Sequence, residues 1–195
     1  MLSLKPLKAE ARVKYDVAAK WSPFLATRER GRRVREEIEQ RLAQLSAGDN
    51  LVLDFSGVEG ITVSFGDECV AKLILARSSG DFADRGLVIE GANEDVTETL
   101  EAVLSRRKFS AISLNSTGEP EVLGERGWLP ATLAAAIELR SFSASDLAAI
   151  LNLTPQAANN RLKMLVASGA VARERIVPEG GGKEFSYRIV IPVYA

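Results

Sequence analysis

The apolar positions of the first half of the chain switch between two spacings. Over residues 28–45, Val34, Ile38, Leu42 and Leu45 recur as on one face of a helix, with Thr27 at the N-cap position and Gly48 just past the end. The run LVLDF at 51–55, bounded by GDN and SG, predicts a buried strand, and a further helix is expected over 65–77. A strand at 87–90, a helix at 93–108 and a strand at 111–115 repeat the alternation, so residues 1–122 predict an α/β domain with one central sheet. Over 115–127, turn-forming and charged residues replace the periodic ones, as in a linker or a peripheral excursion, and a domain boundary is placed near Leu123. Beyond it, closely spaced alanine-rich helices give way to strand periodicity, Phe185, Tyr187, Ile189 and Ile191 alternating with Ser186, Arg188 and Val190. Residues 123–195 are therefore expected to form a second, α+β domain.

Within that second domain, two helices flank a tight turn. Ser143 and Asp146 have the spacing of a capping box ahead of Leu147, Ile150 and Leu151. After a turn at Asn152 and Leu153, Thr154 is a good N-cap, Pro155 takes the first helical position and Gly169 ends the helix. Ala158, Leu162 and Leu165 share the face that packs inward, while Gln156, Asn159, Asn160 and Lys163 lie opposite. Asn and Gln amides can bond bidentately to adenine, and Lys163 with its neighbour Arg161 can meet phosphates or guanine. Thr154, Gln156, Asn159, Asn160, Arg161 and Lys163 are thus candidate contacts of a helix that reads the major groove of double-stranded DNA. Lys183, in the loop PEGGGKE between two strands, is a seventh, placed to follow the backbone or enter the minor groove.

Composition narrows the chemistry. The chain has 195 residues, 46% hydrophobic and 26% charged, which suits two compact globular units. No apolar run is long enough to span a bilayer and the first residues lack a signal-peptide core, so the cytoplasm is the expected location. One cysteine and no histidine exclude an intrachain disulfide, the usual zinc sites and histidine acid–base catalysis. Net charge is −3 over residues 1–122 and +2 over 123–195, a weakly basic second domain. GGGK at 180–183 resembles part of a phosphate loop, but Val177 replaces its first glycine and Glu184 its magnesium-binding hydroxyl. Asp54, Asp67 and Glu68 read as structural carboxylates rather than a magnesium site. The dense arginines at 28, 30, 32, 33 and 35 are interleaved with Glu29, Glu36, Glu37 and Glu39, as on a salt-bridged solvated face. Cys69 is expected to face the core. No nucleophile–base pair is evident, so neither an enzyme nor a cofactor is expected.

Two family resemblances add to this reading. Residues 141–191 resemble the winged helix-turn-helix of bacterial regulators, on Leu147-Ala148, Leu153-Thr154, Arg161-Leu162, Leu165 and Gly169. The resemblance implies DNA binding, normally as a homodimer on two half-sites, or, in some members, contact with protein. Residues 24–75 resemble the STAS-like domains related to anti-sigma-factor antagonists, on Thr27-Arg28, Gly31, Leu53-Asp54-Phe55, Val58, Ser64-Phe65 and Asp67-Glu68. Such a fold would span about residues 12–115, and it implies a non-enzymatic domain for partner binding or dimerisation. In some systems the partner is a kinase-type ATPase that phosphorylates a serine at this helix start, which makes Ser64 a candidate site of regulatory phosphorylation. Here Thr62-Val63-Ser64-Phe65 stands in place of the Asp-Ser-Ser-Gly-like turn, and Ser64 with Asp67 also reads as a plain N-cap. The two implied functions are a DNA-binding regulator of transcription and a protein-interaction switch.

Overall fold

The computed structural model describes residues 11–176 and 184–191. The first half runs β1 (Arg12–Asp16), α1 (Val17–Lys20), β2 (Phe24–Leu25), α2 (Arg28–Gln44), β3 (Asn50–Asp54) and β4 (Gly60–Ile61). It continues as α3 (Val63–Gly66), a π-helical segment (Asp67–Ala71), α4 (Lys72–Ser78), β5 (Gly86–Glu90), α5 (Glu94–Arg106), β6 (Ser110–Leu114) and β7 (Pro120–Gly124). Then come α6 (Leu129–Leu139), β8 (Ser141–Ser143), α7 (Ala144–Ile150), α8 (Pro155–Ser168), β9 (Val171–Ile176) and β10 (Glu184–Ile189).

Five strands form the central sheet in the order β1-β3-β5-β6-β7, the first four parallel and β7 antiparallel to β6. Parallel strands bury both faces, because crossover connections place layers above and below them. The side chains of β3 and β5 show this residue by residue. Leu51, Leu53, Leu87 and Ile89 pack against Val34, Ile38 and Leu42 of α2, Phe65 of α3, Leu73 of α4 and Leu100 of α5. Val52 and Val88 between them, with Ile112, Leu114 and Val122, pack the other way, against Leu129 and Leu133 of α6, Leu147 of α7 and Leu162 and Leu165 of α8. The C-terminal segment is therefore the second cover of the sheet.

The helix starts follow local signals. Thr27, Asn93, Ser143 and Thr154 each accept a backbone N–H three residues on, and the Ser143–Asp146 capping box is complete. Each such cap contributes about 1 kcal/mol. Along α2, Arg33 pairs with Glu29 at 2.5 Å and Arg35 with Glu39 at 2.9 Å, as the interleaved charges imply.

Several expectations are corrected. Thr62, not Ser64, caps the helix after β4: Thr62 has extended backbone and its hydroxyl accepts from Phe65 N–H, which puts Ser64 inside the first turn. The helix expected over 65–77 begins at Val63 and is interrupted by five residues of π-helix. The stretch 115–127 contains β7, an edge strand whose Leu123 faces Ala111 in the ladder. β1 has no counterpart among the elements that the apolar spacing predicts. Cys69 is buried as expected, and burial pushes its thiol up to about 12, so it is a packing group rather than a reactive one.

Candidate nucleic-acid interface

Three helices and three strands surround the candidate site in the order α6-β8-α7-α8-β9-β10, with sheet order β8-β10-β9, antiparallel throughout. Asn152 turns the chain between α7 and α8 with φ +50°, a left-handed conformation that asparagine tolerates better than most residues. Pro155 then occupies the first turn of α8, and Gly169, at φ +91°, ends it. Ala158, Leu162 and Leu165 are fully buried. That burial leaves Thr154, Gln156, Asn159, Asn160 and Lys163 exposed on the outer side of the same helix.

The exposed amides are only loosely engaged. Gln156 Nε2 approaches Asn160 Oδ1 at 3.4 Å, one turn away, and Asn159 Nδ2 donates to Pro155 O at 3.0 Å. These are intrahelical contacts that a stronger external partner can replace.

Arg161 sits elsewhere. One residue is 100° of helix, which carries its side chain from the amide face towards α6. There its guanidinium lies 5.0 Å from the Trp128 ring centroid and donates to Thr132 Oγ1 at 3.2 Å. Arg161 therefore braces α8 against α6. Lys183 lies outside the described residues. Ser64 is half-buried on the first-half surface, next to the exposed Val63 and on the same corner as the exposed Phe24.

Backbone and side-chain bonds fasten the end of α8 and the strands after it to the first half of the chain. Leu87 N–H donates to Gly169 O at 3.1 Å, Arg173 N–H to Ala83 O at 2.9 Å, and the buried Asn50 side chain to Val190 O at 2.8 Å. Arg77 of α4, 1% exposed, donates through Nε to Ala167 O and through Nη2 to Val166 O and Arg85 O. A cation at a helix C-terminus complements the helix dipole. Sequence reasoning missed Arg77 and Asn50; the one hint was that Arg77 falls on the helical stripe of Leu73 and Ile74.

Asp54, Asp67 and Glu68 are each paired with cations. Asp54 meets Lys14 at 2.9 Å, and Glu68 meets Lys72 at 2.7 Å. Asp67 is held bidentately by Arg107, at 2.5 and 2.9 Å, with Arg28 at 3.6 Å. The hydrogen bonds from Arg107 hold the Asp67 carboxyl below the usual carboxylate range despite partial burial. A lowered folded-state value means that the contribution is present above the unfolded value and is lost as pH falls through the folded one. Arg107→Ala is expected to raise the Asp67 titration midpoint towards the ordinary value, read by NMR of the side-chain carboxyl. An unmoved midpoint would remove Arg107 as the cause.

Residues 30–97, from α2 into α5, match the family described as a STAS-like domain of unknown function (DUF4325). Residues 30–97 are thus similar to a STAS-like domain, and they lie within a mixed α/β fold whose central sheet is mostly parallel. No curated protein and no solved structure matches the chain. Among the described residues, no helix is long and apolar enough to cross a membrane, and no cluster of Cys, Asp or Glu is arranged to hold a metal ion.

Proposed function

We propose that the C-terminal segment is a winged helix-turn-helix that binds double-stranded DNA, and that the protein is a cytoplasmic, non-enzymatic regulator of transcription. The observation that carries this reading is α8 itself: one face is fully buried, and the other presents Gln156, Asn159, Asn160 and Lys163 without an apolar neighbour among them. The order of elements, the Asn152 turn and the antiparallel β9–β10 pair all fit the docking geometry in which a second helix enters the major groove. Gln156, Asn159 and Asn160 read bases, Thr154 and Lys163 meet phosphates, and Lys183, outside the described residues, is a further candidate contact by sequence. Arg161 serves packing instead. Because this face is richer in amide than in charge, one copy makes few phosphate contacts, and a homodimer on two half-sites supplies the affinity. The STAS-like domain brings the copies together or takes a partner protein.

Selection of bound duplexes from a random pool at about 0.15 M salt, where surface charge is largely screened, tests the reading. An enriched site is expected, with log affinity falling by about 0.9 per log unit of salt for each phosphate neutralised. Asn160→Ala is expected to relax base choice at one position and weaken binding about tenfold, from the roughly 1–3 kcal/mol of a bidentate base contact. Sedimentation should find two copies per site. A pool with no enriched sequence would sink the proposal.

A second reading has its own support. Val63, beside Ser64 at the start of α3, and Phe24, on the β2 strand that pairs with β4, are both more than half exposed, which suits a protein partner and a phosphorylation switch there. Ser64→Asp altering partner capture with no DNA preference in the selection would favour it.

A further inference from the structure

Between β7 and α6 runs a groove of about 340 Å³, walled by Pro120 and Val122 of the strand and by Pro130, Leu133, Ala134 and Ile137 of the helix. The helix is poor in charge for one at the surface. Glu138 is the one charged residue among its eleven, and Pro130, Ala131 and Ala134 face solvent. A surface helix ordinarily turns a charged or polar face to water, and a continuous apolar patch marks a contact surface.

The two ends of this patch differ in sign. Arg126 lines the groove just ahead of α6, and its side chain stays 61% exposed although it pairs with Glu101. The first turn of α6 adds the positive end of a helix dipole to it. Glu138 is exposed in the last turn. A surface positive at one end and negative at the other complements itself when a two-fold axis relates two copies. With the two α6 helices antiparallel and crossing at Ala134, Glu138 of each copy lies beside Pro130 in the first turn of the other, within reach of Arg126 there. The ridge of Pro130, Ala134 and Glu138 on each helix then enters the groove of its partner. Residues 1–10 lead into β1, at the opposite edge of the central sheet from β7, which favours a second copy over that stretch as the occupant. Eleven helical residues span about 16 Å, so the paired faces fall below the roughly 1,200 Å² of a standard interface and the association is reversible.

We propose that the groove between β7 and α6 is occupied by a second copy of this chain, in a two-fold dimer with antiparallel α6 helices. The inference rests on the homodimer of the reading above for its purpose, and it leaves the corner of Phe24 and Val63 open to a partner protein.

Sedimentation equilibrium of the full-length protein without DNA is expected to show reversible dimerisation in the micromolar range, where an interface of this size places it. Ala134→Arg sets like charges against each other at the crossing point and is expected to weaken association at least about tenfold. The urea midpoint of the dilute protein should not move, because residue 134 is exposed. Glu138→Arg and Arg126→Glu are each expected to weaken association several-fold, and the two together to restore it. A protein that stays monomeric to about 300 µM overturns the proposal. An Ala134→Arg variant that associates as the parent does, or a double variant no better than either single one, overturns it too. So does a lowered midpoint of the dilute Ala134→Arg protein, the mark of a groove filled by a segment of the same chain. Omitting DNA separates this result from the duplex selection: a dimer with no enriched sequence sinks the DNA reading alone, and an enriched sequence with a monomer sinks the interface alone.

Discussion

A fragment spanning residues 125–195 is expected to lose cooperative folding, although it carries every helix and strand of the candidate DNA reader. Its core is completed by Val52, Val88, Ile112, Leu114 and Val122 of the central sheet, and excision leaves Leu129, Leu133, Leu162 and Leu165 without that cover. Each large aliphatic side chain returned to water costs roughly 1.5–3 kcal/mol. A whole domain is stable by only about 5–15 kcal/mol, so a few such losses suffice to unfold it. Circular dichroism against urea should give a broad, sloping loss for the fragment and one sharp transition for the full chain. In the full chain, fluorescence of Trp21 and of Trp128, separated by Trp→Phe variants, should report the same midpoint. A sharp transition in the fragment would show that the sheet is dispensable.

Gly169→Ala is expected to destabilise the full chain by about 3 kcal/mol or more, combining the left-handed backbone cost with overpacking. At φ +91°, a Cβ on residue 169 would meet Leu87 O at 2.5 Å, Leu87 Cβ at 2.6 Å and Leu87 N at 2.8 Å. These are mostly atoms of the sheet backbone, so the helix end must retreat, and the bond from Leu87 N–H to Gly169 O goes with it. Hydrogen exchange at Leu87 should accelerate markedly, and the urea midpoint should fall with little change in slope. Gly80→Ala is the control, since residue 80 also has positive φ but nothing within 4 Å of the added carbon. Equal destabilisation by both variants would mean that the contact with Leu87 contributes nothing.

Local signals were the legible part of this fold. Thr154-Pro155, Ser143 with Asp146, and Thr27 ahead of α2 act within one helical turn, so neighbouring residues suffice to reveal them. β1 was hidden because RVKYD offers only Val13 and Tyr15 to the core while Arg12 and Lys14 pair with Glu90 and Asp54 on its other face. β7 was hidden by Pro120, Glu121 and Gly124, which look like turn residues and are tolerated because this strand lies at an edge. Thr62 and Ser64 are equally able to cap, and the extended exit from β4 selects Thr62. Of the candidate contacts, Gln156, Asn159, Asn160 and Lys163 follow from helical periodicity alone, whereas the position of Arg161 depends on Trp128, over thirty residues earlier. The unbroken apolar run LVLDF did carry a long-range message. A strand without a polar face needs cover on both sides, and the second cover lay in the other half of the chain.

The central sheet is one strand layer thick, so Leu51, Val52 and Leu53, consecutive in sequence, belong alternately to different cores. A recombination that joined residues 1–124 to a foreign C-terminal reader would strip the native partners from Val52, Val88 and Ile112 and offer them an unmatched surface. Exchange at that junction therefore creates a packing fault in the middle of the molecule rather than a new combination of working parts. The two halves are transmissible only together, or with the wall between them redesigned.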